Sequence, residues 1–338
     1  MNKLEKILTS ENVVEEINNN LEYLLTIIPD IKFMIGFEHK HPHHHLDVWN
    51  HTLLSLSLSE NDFNTRLVLL LHDIGKPFMY QEDNGVRHYN EHAIMSSIIA
   101  RNTLKRLGYD TNYIKKICYL IKTHDEIITE KEIKDNYGLS LLKYKIQYCD
   151  ALAHHPDKLE KRIAYLNKTK LLIEKSRLNN LKIIAAIGKN NELGKNNDLI
   201  WPIKEDLKFF KELTTNHNII MGYNTYISLP NKLPNRHHII LTHRDIKVDN
   251  DIDVYNNKYD LLENINNVED EIYIIGGASI YKEFIDDTNE LILTEIEAED
   301  KNADVYFPTF NKEEWSKEII CTHNDNNPPY KHVKYLRK

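Results

Sequence analysis

Apolar side chains recur at helical spacing through the first half of the chain and in short strand-like runs through the second. Leu4, Ile7 and Leu8, then Val14, Ile17, Leu21, Leu24 and Leu25, share one stripe of a 3.6-residue period, and Pro29 stops that run. The same period predicts helices over about 50–59, 64–74, 90–107, 111–124, 138–153 and 157–178, with Gly75-Lys76-Pro77 and Gly108 as stops. No convincing strand alternation precedes residue 181, so this half reads as all-α. Beyond it, β-branched runs predict strands at about 182–187, 218–221, 237–242, 271–275 and 290–297. Helical patterns at about 204–213, 224–229, 258–265 and 278–285 lie between them. Such alternation predicts an α/β domain with a doubly wound sheet and ligands at the strand ends. The expected division is an all-α domain over 1–178 and an α/β domain over 179–338. Asn179-Asn180 leaves a junction too short for two freely moving beads.

At 338 residues the chain can bury two cores. Cys118, Cys149 and Cys321 build no disulfide framework. The opening residues lack the apolar core of a signal peptide, and runs such as Leu67 to Leu71 are far too short to span a bilayer. A cytoplasmic protein with no membrane partner is expected. Residues 1–180 carry 24 basic and 24 acidic side chains, leaving 19 and 27 for the remainder, so the net charge of -8 sits in the second half. Neither half has the basic excess of a nucleic-acid binder. Lys161, Arg162, Lys168, Lys170, Lys175 and Arg177 read as the solvated face of a helix. Histidine is skewed the other way, with 12 of 18 before residue 181.

His72 and Asp73 follow Leu67-Val-Leu-Leu-Leu at the end of a buried helix. Imidazole beside carboxylate, without thiolate, suits a hard or borderline metal; alone, the dipeptide reads equally as a satisfied buried hydrogen bond. The fuller series is Asp47-Val-Trp-Asn-His51, His72-Asp-Ile-Gly-Lys76 and Asp150-Ala-Leu-Ala-His154. It resembles the HD-domain metal-dependent phosphohydrolases over roughly residues 20–165. The stretch from Ile27-Ile-Pro to His45-Leu-Asp-Val-Trp is most similar to the HD portion beside some tRNA nucleotidyltransferases. The resemblance implies His51, His72, Asp73 and Asp150 as ligands of one divalent metal, with manganese, iron, cobalt, nickel, magnesium and zinc not distinguished. A second ion, with Asp73 bridging, would add His92 and His124, which otherwise would bind substrate phosphate. Lys76 either holds phosphate or is a solvated lysine at a helix end. The cluster His39, His41, His43, His44 and His45 reads as a loop with at most one histidine facing the site. The metal would acidify bound water and polarise a phosphoryl oxygen.

In the second half, Asp206 shares a helix face with Phe210 within Leu199-Ile-Trp-Pro-Ile-Lys-Glu-Asp-Leu-Lys-Phe-Phe210. A carboxylate there is either an N-terminal helix residue favoured by the dipole or a ligand contact. Around it, in order, stand Lys182-Ile-Ile-Ala-Ala-Ile-Gly, Leu193-Gly194, Trp201, Ile219-Ile-Met-Gly-Tyr-Asn-Thr225, Leu233-Pro-Asn-Arg236, Ile239-Ile-Leu-Thr242 and Ile274-Ile-Gly-Gly-Ala-Ser-Ile-Tyr281. This series resembles dihydrofolate reductase over about residues 181–338. The resemblance implies one mixed, mainly parallel sheet in whose cleft a nicotinamide cofactor and folate meet. Asp206 would orient the pterin and favour its protonation, backed by Thr294, with Trp201 holding a water nearby. Ile184, Leu207, Phe210 and Ile275 would line the pocket, although core residues look the same. Arg236 would bind the glutamate carboxylate of folate in a fork.

The cofactor, NADPH, would lie against Ala186, Leu193 and Gly194, then Gly222, Tyr223, Asn224 and Thr225, then Leu241, Thr242, His243 and Arg244. Gly276 and Gly277, joined by a cis bond in the family, would open a phosphate cradle with Ala278, Ser279 and Ile280, and Tyr281 would sit against the nicotinamide. Two departures stand out. Ile200 occupies the usual proline position before the tryptophan, with Pro202 after it, and Tyr223 replaces the arginine common after Met-Gly. The expectation is a bifunctional enzyme, a dihydrofolate reductase joined to a metal-dependent hydrolase of a nucleotide-like phosphoester, both acting on small molecules. Two alternatives stay open: a tRNA-binding or structural role for the first half, and a related pyrimidine reductase of riboflavin synthesis for the second.

Overall fold

A computed structural model describes residues 2–338. It divides into two compact units. The first holds residues up to Lys134 with Leu139–Ile173; the second holds Asp135–Gly138 with Glu174–Lys338. Among the described residues no helix is long and apolar enough to cross a membrane.

The first unit is helical. Its elements are α1 (Lys3–Leu8), α2 (Val13–Asn19), α3 (Leu21–Ile27), α4 (Val48–Ser57), α5 (Phe63–Leu71), α6 (His92–Arg106), α7 (Thr111–Lys122), α8 (Glu130–Asp135), α9 (Tyr137–Leu152) and α10 (Pro156–Lys175), with Asp135 of α8, Tyr137 and Gly138 of α9, and Glu174 and Lys175 of α10 counted in the second unit. The apolar run over 3–27, expected as one helical pattern, breaks into three helices. Side chains compete with the backbone at the breaks: Thr9 Oγ1 donates to the Glu5 carbonyl and Asn20 Nδ2 to the Glu16 carbonyl. A short hairpin, β1 (Gln81–Asp83) and β2 (Val86–His88), also interrupts the helices. Asn84 and Gly85 turn it with φ of 50° and 80°, the primed-turn conformation that Asn-Gly favours. Strands of three residues leave no alternation to detect.

At the centre lies α5. Asp62 caps it, its Oδ1 accepting from Thr65 N and Oγ1 at 2.7 Å each. Leu67 to Leu71 are fully buried, as befits a helix apolar all round. Whatever follows Leu71 is therefore delivered into the interior.

In the second unit come β3 (Leu181–Ile187), β4 (Glu192–Lys195), β5 (Asp198–Leu199), α11 (Lys204–Thr214), β6 (Asn218–Gly222), α12 (Tyr223–Ser228), β7 (His237–Leu241), β8 (Ile252–Tyr255) and α13 (Lys258–Ile265). They are followed by β9 (Ile272–Gly276), α14 (Ala278–Phe284), β10 (Glu290–Ile296), β11 (Val305–Tyr306), β12 (Trp315–His323) and β13 (Tyr330–Arg337). One mixed eight-stranded sheet runs β12-β13-β10-β3-β9-β6-β7-β8, and β11-β4-β5 form a small second sheet. From β10 to β8 the strands are parallel; β13 is antiparallel to β10, and β12 to β13. Ile183, Ile219, Ile220, Ile274, Leu291 and Leu293 are fully buried, as strands covered on both faces require. The chain passes from β3 outward through β6, β7 and β8, then returns to insert β9 beside β3 before adding β10 on β3's other side. Connections diverge there, and the carboxyl ends of the strands frame a crevice.

Replacing Asp62 with alanine leaves two donors of α5 without their acceptor. Urea unfolding of the helical unit should lose about 1–2 kcal/mol, and an unchanged midpoint would show that the cap carries no weight.

Candidate active sites

Just past α5, His72 and Asp73 turn inward. His51 comes from α4, Asp150 from the last turn of α9, His92 opens α6 and His124 follows α7. Each histidine sets Nδ1 on a backbone carbonyl: His51 on Ala153 at 3.1 Å, His72 on Leu69 at 2.7 Å, His92 on Tyr89 at 2.8 Å and His124 on Ile121 at 2.7 Å. A carbonyl only accepts, so Nδ1 carries a proton and Nε2 faces the cavity, the way metal-ligating imidazoles are held. Asp73 is shared: Oδ2 lies 3.3 Å from His72 Nε2 and 3.7 Å from His51 Nε2, while Oδ1 lies 3.4 Å from His92 Nε2. His51, His72 and Asp73 thus form one ligand set, and Asp73, His92 and His124 a second. Asp150 Oδ1 joins the first, 2.9 Å from His51 Nε2 and 3.5 Å from His72 Nε2.

His72 Nε2, Asp73 Oδ1 and His92 Nε2 are buried without a hydrogen-bond partner. Polar atoms stranded face to face are costly unless something between them satisfies them, and these donors fit divalent metal at one position or two. With no cation, burial would drive the proton off His72, but Asp73 and Asp150 outweigh it and raise the imidazole to about 10. A metal would take that proton's place. Asp73 is pushed up by burial yet held well below the usual carboxylate range by His72 and Lys76.

Three expectations change here. Lys76 is not a solvated lysine. It is buried, its Nζ 2.7 Å from Asp73 Oδ2 and 3.2 Å from His39 Nε2. Burial lowers His39 to about 4, so the ring is neutral and accepts from the ammonium. More than one histidine of the 39–45 loop faces the site, because His41, His43 and His44 line the same 890 Å³ cavity as Asp73 and Asp150. Arg162 is not simply part of a solvated face: its Nη2 lies 3.0 Å from Asp150 Oδ2 and 3.4 Å from Asp125 Oδ1. Asp125 Oδ2, 3.3 Å from His124 Nε2 and 3.5 Å from His92 Nε2, was also missed, although His124-Asp125 repeats the His-Asp dipeptide. Gly75 completes the arrangement. A Cβ there would meet the His92 carbonyl oxygen at 2.4 Å and Ser96 N at 2.6 Å, so its absence lets α6 approach and deliver His92.

In the second unit, Asp206 lies in the first turn of α11, whose N-cap Ile203 makes no side-chain cap. Its Oδ1 accepts from Thr294 Oγ1 at 2.5 Å, as the resemblance implies. It also lies 3.1 Å from His332 Nε2, which sequence reasoning missed. The register explains both contacts, since Thr294 of β10 stands between Ala186 of β3 and His332 of β13. Ile184 belongs to the core, Phe210 and Ile275 pack against it, and Leu207 is 43% exposed. Gly188 leaves room for Trp201, whose ring would come within 2.5 Å of a Cβ there. Arg236 is nearly buried. Its guanidinium donates to Thr214 Oγ1 at 2.9 Å, Thr215 Oγ1 at 3.2 Å, the Lys211 carbonyl at 3.3 Å and the Pro234 carbonyl at 2.9 Å, and so is fixed beside Phe210 at the end of α11.

The Gly276–Gly277 peptide is cis. Gly277 precedes α14 and a Cβ there would lie 3.3 Å from Thr225 Oγ1, while one at Gly222 would lie 3.0 Å from Ile280 Cγ1. The ends of β6 and β9 thereby converge on a backbone cradle of the kind a dinucleotide needs. Arg244 lies over the Tyr223 ring, 5.8 Å from its centroid, and its backbone N donates to Thr242 Oγ1. Gly194 pairs with both Val305 and Leu199 in the small sheet that also holds Leu193. Tyr281 is buried with its hydroxyl on the Ile184 carbonyl at 2.8 Å, and burial pushes the phenol up. Asn224, Leu241, His243, Ala278 and Ser279 occupy the same strand ends and helix starts.

Sheet, cradle and held carboxylate match those of α/β oxidoreductases, and the helical domain carries a histidine–aspartate cluster able to hold a metal. The dihydrofolate reductase family model matches residues 180–337, and the HD domain model matches residues 43–186. The dihydrofolate reductase of Buchnera aphidicola from Acyrthosiphon pisum is 38% identical over 155 residues, covering 44% of this chain and 91% of that one. That of Bacillus subtilis is 32% identical over 161 residues, covering 47% and 95%, and dihydrofolate reductase HdrB of Haloferax volcanii is 30% identical over 165 residues, covering 46% and 82%. The chain belongs to the dihydrofolate reductase family through its second half and carries an HD domain in its first.

Because Gly75 meets backbone rather than a yielding side chain, Gly75→Ala should displace His92 and reduce metal bound by the helical unit, read by elemental analysis. Full retention would show that α6 is free to shift without loss of the cluster.

Proposed function

We propose that the second half reduces 7,8-dihydrofolate to 5,6,7,8-tetrahydrofolate with NADPH in preference to NADH. The observation that carries this is Asp206, held by Thr294 and His332 in the crevice between the strand ends. Its carboxylate suits the paired N–H donors of a pterin, and the neighbours that fix it define which oxygen faces the ring. There it favours the protonated pterin nitrogen. NADPH supplies the hydride when bound. Ile184, Leu207, Phe210 and Ile275 exclude water, Arg236 receives the distal carboxylate, Trp201 orders solvent, and Tyr281 backs the nicotinamide position. A pyrimidine reductase of riboflavin synthesis has no use for a folate-orienting carboxylate, which disfavours that alternative.

Preference for NADPH is proposed to rest on Arg244 with Thr242, His243 and Ser279, because Tyr223 supplies no charge. A 2′-phosphate needs a cation close by, and the net acidic surroundings supply no long-range attraction.

The first half is proposed to hydrolyse a nucleotide-like phosphoester. A divalent metal on His51, His72, Asp73 and Asp150, with a second on Asp73, His92 and His124, would supply a Lewis acid and an activated water. Lys76 lies beside Asp73 within reach of a bound phosphate, and Arg162 at the rim adds a fork donor. The stranded ligand atoms favour catalysis over a tRNA-binding or structural role, since a scaffold gains nothing by burying them. The halves are proposed to act as separate domains, 1–178 and 179–338, each with its own chemistry.

Purified protein should oxidise NADPH only when dihydrofolate is added, and Asp206→Asn should lower kcat/KM by about 10²-fold or more. Arg244→Ala should cut the NADPH-over-NADH ratio about tenfold or more, the loss of one charged hydrogen bond, and Tyr223→Arg should widen it. Full turnover by Asp206→Asn ends the reductase assignment of this carboxylate; a ratio indifferent to Arg244 moves the phosphate elsewhere.

Phosphate esters screened with manganese, iron, cobalt, nickel, magnesium and zinc should reveal a hydrolysed nucleotide-like substrate. Activity surviving His72→Ala with Asp73→Ala would refute the site.

A further inference from the structure

The imidazole partner of Asp206 leads out of the reductase crevice to a cluster that the proposed reaction does not use. Along β12 and β13 the register pairs Ile319 with Val333; continued unbroken, it would set Ile320 opposite His332. Instead the register shifts, and Cys321 stands opposite His332 with His323 opposite Tyr330. One extra residue, Ile320, bulges and turns Cys321 and His323 onto the His332 face. Their ligand atoms converge there. Cys321 Sγ lies 3.2 Å from His323 Nε2 and 3.1 Å from His332 Nδ1, and one atom from each residue falls within 4.8 Å of the others. Stacking fixes both rings: His323 on Tyr330 with centroids 4.4 Å apart, His332 on Phe209 at 3.9 Å.

We propose that Cys321, His323 and His332 bind a borderline-soft divalent cation of the zinc class, with His332 linking it to Asp206. One thiolate and two imidazoles are the donors such an ion selects. Bond lengths of about 2.3 Å to sulfur and 2.0–2.1 Å to nitrogen put tetrahedral S and N about 3.5 Å apart, so the cluster needs to open by only about 0.4 Å. His332 is buried, whereas Cys321 and His323 are half-exposed and give the ion a way in. With Nδ1 on the ion, His332 must carry its proton on Nε2, which lies 3.1 Å from Asp206 Oδ1. The result is a carboxylate–histidine–metal chain of the kind that orients metal ligands. Occupancy then fixes one hydrogen bond to Asp206 and leaves fewer acceptor positions for substrate. The site stands on the cluster alone; its link to dihydrofolate rests on the reductase reading.

Cobalt(II) titration of the full chain under reducing conditions tests this. Thiolate ligation gives a near-ultraviolet charge-transfer band, and the nitrogen and oxygen donors of the helical cluster give none, so the band reports Cys321. It should be present in the wild type, in Cys118→Ala and in Cys149→Ala, and lost in Cys321→Ser. In His332→Phe, which keeps a ring against Phe209, it should be lost or need at least tenfold more cobalt. Asp206→Asn should keep the band but bind cobalt about 10- to 100-fold more weakly. No band in the wild type, or a band surviving Cys321→Ser, overturns the site. Unchanged cobalt affinity in Asp206→Asn, or a dihydrofolate KM that zinc does not shift, overturns the link to Asp206. Failure of the reductase reading would show separately, as dihydrofolate turnover surviving Asp206→Asn.

Discussion

Taking a carboxylate out of water is the constraint on which both halves of this chain depend. An unmet buried charge costs several kcal/mol even after relaxation, so each carboxylate dictates what must surround it. Asp73 and Asp150 are almost wholly buried, and the imidazoles of His51, His72 and His92, with Lys76 and Arg162, are drawn around them. Those partners come from helices far apart in sequence, which is why α4, α5, α6, α7 and α9 all point an end or a face at one place. Asp206 is less buried and meets the Thr294 hydroxyl and the His332 imidazole, two partners in strand register. The first setting leaves polar atoms stranded and suits metal; the second holds one carboxylate oxygen between two strand-borne partners.

Sequence patterns made strands β3, β6, β7, β9 and β10 and the principal helices legible, because each rests on local periodicity, whereas the short β4, β5 and β8 carried too few residues to read. Asp206 with Thr294, and the His51, His72, Asp73 and Asp150 set, could be named only through the resemblance to two families, and the structure brings each group together. What escaped has physical reasons. The hairpin of β1 and β2 carries only a turn signal, Asn84-Gly85, between strands too short to alternate. The β12–β13 pair was missed because the bulge at Ile320 breaks its period and most of β12 is exposed. With that register unknown, nothing could bring His332, at the far end of the chain, to Asp206. Arg162 sits among six basic residues that look alike in sequence, and only burial against Asp150 sets it apart. Lys76 follows Gly75 at what reads as a helix end, where solvent is the ordinary expectation.

The donor chemistry divides the chain as sharply as the fold does. The helical cluster offers only nitrogen and oxygen, as hard and borderline metals prefer, and its two exposure-poor cysteines, Cys118 and Cys149, lie outside the ligand sets. The α/β half offers the Cys321 sulfur beside two imidazoles at one edge of its crevice. A cradle of glycine backbone lies at the carboxyl ends of β6 and β9, and the Asp206 carboxylate lies beside β10, so the crevice presents two chemically different surfaces. Glycine does this work at Gly222 and Gly277, where a side chain would fill the space or press on a neighbour.

Two independent chemistries in one chain is the central claim, and a crossed pair of variants tests it most directly. Manganese content and dihydrofolate-dependent NADPH oxidation are measured on the same preparations of wild type, His72→Ala with Asp73→Ala, and Asp206→Asn. Manganese is the right reporter because thiolate-bearing sites do not favour it. The expected result is a double dissociation: the first variant loses manganese and keeps reductase turnover, and the second keeps manganese and loses turnover. Loss of both properties in either variant would contradict it.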